Sequence, residues 1–533
     1  MTTPDAAADT FTFDPAWLSA LGVGALLPRS LSQWEPLVLE GLAQFLNTLP
    51  PARIEAIAQT QASLALDAPL PERITTLLLQ CPTLHKLGQV LARQQHLPQA
   101  LREQLRQLES TPARTDSGTV AALRQQLQSH VSASATPAAQ LVIAEEPLAE
   151  GSVALVLPFH WQDKQGTHEG VFKVLRPGVA QQLDEELSVL PQIAAFLEQR
   201  GQALQLPALD YSGTLDGVAR LLREEILLER EQAHLQAAHA LYACTPAIHI
   251  PALLPWSAPW VTAMERIHGQ PLAEAELPHH ERQRLASIAI DALLAQPFWS
   301  PDDPALFHGD LHGGNLMLTH DGRLAVLDWA LIAPMPKPAR EAVVAAMIGG
   351  ITLEAHQLRK AVSRLGNISP DDPRLVASVE QALDALIPPP GSMAAPRLAG
   401  FDWLLGLLDQ LALDGHIHVD PALSLFRKTW LSLAGVLADL GGEVSPDLPL
   451  IQRGLSQLLA EWPRRSLAQP LDASALGTHV SNAELAHALM AASMSGWQWA
   501  WRASARFWSG APHLWSGWAP PPQPAPSPTL HLR

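Results

Sequence analysis

The sequence predicts an α+β chain with two lobes, one built partly on strands and one mainly helical. Three stretches carry that expectation. Residues 141–175 hold apolar runs on either side of a tight turn at Ala149-Glu150-Gly151-Ser152, which reads as strand-turn-strand. Residues 71–110, residues 279–297 and the chain from beyond residue 330 to 440 repeat apolar positions at helical spacing between Pro breaks. Residues 307–330, FHGDLHGGNLMLTHDGRLAVLDWA, set a loop rich in His, Asp and Gly before a hairpin-like Asp321-Gly322 and an apolar run that stops at Asp328.

Composition narrows the classes. With 533 residues the chain holds more than one domain or one large two-lobed unit, and 47% hydrophobic content is that of a globular protein. Two cysteines, Cys81 and Cys244, exclude a disulfide framework and suit a reducing compartment. A net charge of −17 argues against a nucleic-acid partner, because phosphate backbones reward clustered Lys and Arg. The acidic start MTTPDAAADT lacks a basic leader, so a cytoplasmic chain is expected.

In chain order, residues 1 to about 70 read as short helices separated by Pro. From Pro71 the helical pattern strengthens: ERITTLLLQ, a break at Cys81-Pro82, TLHKLGQVLARQQ, Pro98, then ALREQLRQLES. Gly88, inside the Lys86-Leu87-Gly88-Gln89 run, costs a helix roughly 1 kcal/mol against Ala and marks close packing or approach to a ligand. Taken alone, the run also reads as an exposed helix face. VSASATPAA at 131–139 reads as a loop. In Gly170 to Leu175 a lysine, Lys173, sits inside an apolar strand. Such a lysine is costly unless paired. It reads as an edge residue snorkelling outward, or as the strand lysine that neutralises phosphates opposite a helical Glu.

Leu221 to Leu235, LLREEILLEREQAHL, reads as one acidic helix offering Glu225 and Glu231 as that partner. The strand Trp260 to Met264 then leads through Glu265 into a connection between lobes. Near the carboxyl end lie six of the sixteen Trp, between Trp497 and Trp518. Leu485 to Trp501 is free of Asp, Glu, Lys and Arg but too polar and short to span a bilayer. Met490, Met494, Trp497, Trp501 and Trp508 share one helical face. That suits an interfacial helix, or one packed on the protein or a partner. Residues 519–527, APPPQPAPS, read as a Pro-rich end.

The central stretch is the most informative. Asp310 and Asn315 sit five apart, with Asp328 after a hairpin. A kinase-like fold uses this layout to handle a nucleotide, with one carboxylate at the nucleophile and an amide and a second carboxylate on magnesium. Magnesium takes hard oxygen ligands and keeps several waters, so one Asn and one Asp suffice.

Together these pieces resemble the UbiB/AarF family of atypical, protein-kinase-like proteins, which includes the mitochondrial ADCK proteins, over roughly residues 75–445. LHKLGQVLARQQHLPQALREQLRQL resembles the family's extension with its K-x-G-Q signature, and FKVLRPGV its lysine strand. EEILLEREQAHL is similar to its acidic helix, TAMERIHG to its hinge, FHGDLHGGN to its catalytic loop and VLDWA to its metal-binding turn.

The resemblance implies a two-lobed protein-kinase-like fold. Its segments would be an N-terminal helical region (1–70), a KxGQ helical extension (71–140), an N-lobe (141–265), a mainly helical C-lobe (266–460) and a Trp-rich tail (461–533). It implies ATP and Mg2+ as cofactors. Lys173 would meet the α- and β-phosphates and pair with Glu231. Ser152 would lie in the loop over the phosphates, and Met264, Glu265 and Arg266 would border the adenine. Glu225 would face Lys86 and Gln89 of the extension. Asp310 would be the catalytic-loop carboxylate, and Asn315 and Asp328 the metal ligands. The activity implied is ATP hydrolysis or phosphorylation of a small or lipid-like isoprenoid quinone precursor. That chemistry would support ubiquinone biosynthesis peripherally on the inner membrane, alongside quinone-biosynthesis proteins. HGDLHGGN fits a choline- or aminoglycoside-kinase type of phosphotransferase equally well, but the KLGQ extension does not, and a nucleotide-binding pseudokinase adaptor is the third expectation.

Several positions depart from the family pattern. Glu150 stands in a loop the family fills with Ala, and an acid facing inward there would repel a triphosphate. Leu227 stands where the family supplies Asp, and His234 where it supplies Asn. Leu311 and Gly313 replace prolines, and Trp329-Ala330 replaces Phe-Gly.

Overall fold

A computed structural model describes residues 11–65, 67–91, 101, 105, 115–134, 140–164, 166–207, 209–272, 275–387, 399–413, 417, 421–440 and 446–510. The chain divides into two compact units: Met1–Ala289 with His308–Ile332 and Ser432–Val444, and Ile290–Phe307 with Ala333–Leu431 and Ser445–Arg533.

In the first unit the Pro-separated beginning forms the expected helices, Pro15–Ala20, Glu35–Thr48, Pro51–Ala62, Leu70–Leu78 and Pro82–Leu91. In the first four, Pro occupies one of the first two helical positions, where its missing N–H costs nothing. Leu18, Leu46, Ile57 and Leu77 of these helices bury against Leu183, Leu187 and Leu190 of the long helix Val179–Ala203. Arg53 secures the seam, donating to Glu186 at 2.7 Å.

A five-stranded antiparallel sheet follows. It runs Val142–Ile143, Ala154–Asp163, Gly166–Leu175, Val261–Glu265, with Ala149–Glu150 also on Ala154–Asp163. Alternation along Gly166–Leu175 decides the fate of its lysine. Phe172 and Val174 enter a core with Leu155, Leu157 and Trp256, closed by Val120, Leu127 and Val131 of the helix Ser117–Ala133. Lys173 therefore points to the opposite face. A four-stranded sheet comprises Ile248–His249, Leu324–Val326, Leu316–Thr319 and Gly269–Pro271. The predicted turn joins two of its strands, with Gly322 at φ +80°, a conformation that favours glycine.

The acidic stretch is not one helix. Tyr211–Glu225 ends, and Leu228–Tyr242 begins after Leu227, whose φ −91° and ψ +78° lie outside the helical region. With no Gly, Pro or capping side chain at the break, the sequence there reads as continuous. The interruption sends Glu225 and Glu231 to different partners.

The second unit is helical around packed rings: Phe401 stacks on Trp430 at 4.9 Å, and Phe298 meets Phe401 edge-on at 5.3 Å. Arg340, fully buried, donates to the carbonyls of Phe298 (3.2 Å) and Ser300 (2.6 Å). The tail forms the helix Asn482–Gly510. Arg502 pins one side of it to Glu380 and Asp384, each at 3.0 Å. Along the same helix Met490, Met494, Trp497 and Trp501 are more than half exposed. Among the described residues no helix is long and apolar enough to cross a membrane. Of the loop expected at 131–139, residues 131–133 end the helix Ser117–Ala133; residues 135–139, the side chains of Gln89 and Trp508, the break at 388–391 and the end at 519–527 lie outside the described residues.

Candidate nucleotide site

The site lies within the first unit. Lys173, projecting from its strand, donates to Glu231 Oε1 at 2.7 Å and to Asp328 Oδ2 at 3.1 Å. Burial works against its ammonium, but the carboxylates of Asp328 and Glu231 outweigh that and hold its pKa above the usual lysine range. Glu231 is itself buried, and burial raises it to about 7 despite Lys173. Its Oε2 has no hydrogen-bond partner among the described residues. Burial also opposes ionisation of Asp328, yet Lys173 and the N–H of Ala330 (2.9 Å) prevail and hold it at about 2. Asp328 is therefore a carboxylate at any ordinary pH.

The catalytic-loop residues are tied to this group through the backbone. The Asp310 N–H donates to His308 Nδ1 at 3.2 Å, so the proton sits on Nε2, which donates to the carbonyl of Asp328. Gly309 passes so near Leu331 that a Cβ would come within 3.1 Å of its backbone, and its N–H donates to that carbonyl at 2.9 Å. Asn315 Nδ2 donates to the carbonyl of Asp310 at 3.1 Å, which leaves Oδ1 as the atom able to face a cation.

Trp329 is buried where the family pattern has Phe. It bonds to the carbonyl of Val326 at 3.2 Å and stacks edge-on against His308 at 4.8 Å. His234 meets the carbonyl of Trp329 at 3.1 Å, so the departures at these two positions fit one another.

The extension reaches the same place. Lys86 lies 2.8 Å from Glu225 Oε1 and 2.6 Å from Asp310 Oδ2. Burial disfavours its charge, but Glu225 and Asp310 hold its pKa above the usual range.

A cleft of about 420 Å³ joins these groups, lined by Ser152, Lys173, Met264, Asp310, Asn315 and Asp328 among others. Its volume is within the range of small-molecule sites. Glu265 also lines it, but its carboxylate turns to His249 (3.1 Å) and the N–H of Ala252 (3.1 Å). Glu150, the unexpected acid, does not point freely inward. It accepts from the N–H of Thr115 at 2.9 Å and lies 3.4 Å from Arg176 Nε. Sequence reasoning missed Thr115 and Arg176 as partners, although Arg176-Pro177-Gly178 directly after the lysine strand was a visible signal.

An ammonium held by two carboxylates in a cleft that also presents an Asp and an Asn is the equipment of a protein-kinase-like fold, and that is the class these features define. Residues 121–362 match the model of the ABC1 atypical kinase-like domain. It is 25% identical over 405 residues to the Probable protein kinase UbiB of Marinobacter nauticus, covering 72% of this chain and 68% of that protein. The protein of the same name from Azotobacter vinelandii is 25% identical over 398 residues, covering 73% and 70%. Among solved structures, the complex of Rv3197 with erythromycin from Mycobacterium tuberculosis aligns at 16% identity and a TM-score of 0.40, over 80% of this chain and 92% of that one. The resemblance to UbiB-type proteins read from the sequence therefore holds across most of the chain.

Proposed function

We propose that this protein binds ATP with Mg2+ and hydrolyses it, or transfers its γ-phosphoryl group to a small or lipid-like acceptor, in the manner of UbiB-type atypical kinases. The acceptor class we favour is an isoprenoid quinone precursor, handled at a membrane surface. The observation that carries this reading is Lys173, bonded to both Glu231 and Asp328 in the cleft that Asp310 and Asn315 line.

The residues fit magnesium. Asn315 Oδ1 and the ionised Asp328 are hard oxygen donors, and a cation held by one or two such groups completes its shell with water and phosphate. When bound, the metal would neutralise charge on the phosphates. The chain's own residues do the rest. Lys173 offers a fixed positive charge to the α- and β-phosphates, and Glu231 keeps that charge aimed. Asp310 accepts a proton from, or orients, the attacking hydroxyl or water.

The ion pair of Lys86 with Asp310 favours a second reading, a nucleotide binder with little turnover. The exposed Trp497 and Trp501 support contact with a bilayer interface, where indoles settle at headgroup depth. ATP consumption by the full chain, with and without liposomes, separates the readings. Turnover that rises with liposomes and disappears in Asp310→Asn supports the enzyme. Binding of ATP with no consumption under any condition supports the second reading.

A further inference from the structure

The loop Gly151–Val153 roofs the nucleotide cleft, and three residues far apart in sequence hold it. Arg176 is central. Its Nη1 donates to the carbonyls of Gly151 (3.5 Å) and Ser152 (3.2 Å), and its own N–H donates to the carbonyl of Val153 at 2.8 Å. Its Nε faces Glu150 Oε1 at 3.4 Å. The other carboxylate oxygen of Glu150 takes both the N–H (2.9 Å) and the Oγ1 hydroxyl (3.1 Å) of Thr115.

Thr115 stands on firm ground. It precedes Asp116, whose side chain caps Ser117–Ala133 by accepting from the N–H of Thr119, and that helix packs Val120, Leu127 and Val131 into the core of the sheet. The Glu150 side chain is only 8% exposed.

The consequence lies in the loop's other edge. In a trans peptide, C=O and N–H point to opposite sides. With the carbonyls of Gly151 and Ser152 drawn to Arg176, the N–H groups of Ser152 and Val153 turn away from it. Neither has a hydrogen-bond partner among the described residues, and both residues line the cleft. Successive unpartnered N–H groups at such a loop form a concavity suited to an anion.

We infer that Glu150 is a positioning residue: with Thr115 and Arg176 it latches the loop so that the N–H groups of Ser152 and Val153 are presented to the terminal phosphates of a nucleoside triphosphate. This rests on the nucleotide reading above. It inverts the expectation that an acid in this loop repels triphosphate, because the charge of Glu150 is spent on Arg176 and Thr115 and its work is to hold backbone donors still.

The opposing signs make the test sharp. Calorimetric titration of the full chain with Mg-ATP and, separately, with adenosine compares wild type, Glu150→Ala and Glu150→Gln. The latch predicts that Glu150→Ala weakens Mg-ATP about tenfold while adenosine stays within about twofold. Glu150→Gln, able to accept from Thr115 but not to pair with Arg176, falls between. Unchanged or tighter Mg-ATP binding by Glu150→Ala overturns the latch. Equal loss of both ligands overturns it too, since that marks a merely structural role. Wild type that binds no Mg-ATP would remove the nucleotide reading itself, a result distinct from either.

Discussion

Lys86 Nζ lies 2.6 Å from Asp310 Oδ2, joining the helical extension to the catalytic loop across 224 residues of sequence. The same ammonium is 2.8 Å from Glu225. Replacing Lys86 by Met leaves two nearly buried carboxylates facing each other without a cation. Lys86→Met should lower stability by about 1–3 kcal/mol, less than a fully buried pair because the lysine side chain is 18% exposed. With the lysine's pKa raised in the folded state, its contribution is complete below the unfolded value and fades only as pH rises through the folded one. The deficit in urea midpoint should therefore be constant from about pH 6 to pH 9. A midpoint equal to wild type would contradict the pairing.

Glu231 gives the opposite pH signature. Its folded pKa is raised to about 7 from an ordinary 4.5, chiefly by burial. The folded state thus holds its proton more tightly, and stability falls as pH rises between those two values. Across that window wild type should lose stability relative to Glu231→Gln, which cannot ionise. Denaturant titrations of both proteins at the two ends of the window check this, and parallel behaviour would refute it.

The start of Leu228–Tyr242 is open to repair. Leu227 occupies the cap position with no side-chain hydrogen bond and is exposed. Asp there would accept from the helix's first N–H groups and complement its dipole. Leu227→Asp should stabilise the protein by about 1 kcal/mol, read as a higher melting temperature. A lower one would mean the leucine packs in a way its exposure does not show.

Much of the site was legible because its parts are local. The spacing of Asp310, Asn315 and Asp328 survives folding as one loop and one hairpin, and the alternation around Lys173 fixes which face the lysine takes. The first four helices begin at prolines, which sequence displays directly. The helix break at Leu227 was hidden because nothing in Ile226-Leu227 signals a stop. The partners of Glu150 were hidden for another reason. Thr115 is 35 residues away, and only the packing of Ser117–Ala133 on the sheet brings it near.

The central claim is that Lys173, Asn315 and Asp328 receive a metal-bound polyphosphate. Its most direct measure is the affinity of the full chain for ATP, with magnesium and with chelator, in wild type and Asp328→Asn. Wild type should bind tightly only when magnesium is present, and the weak binding of Asp328→Asn should be indifferent to the metal. Magnesium-dependent binding of equal strength in both would contradict it.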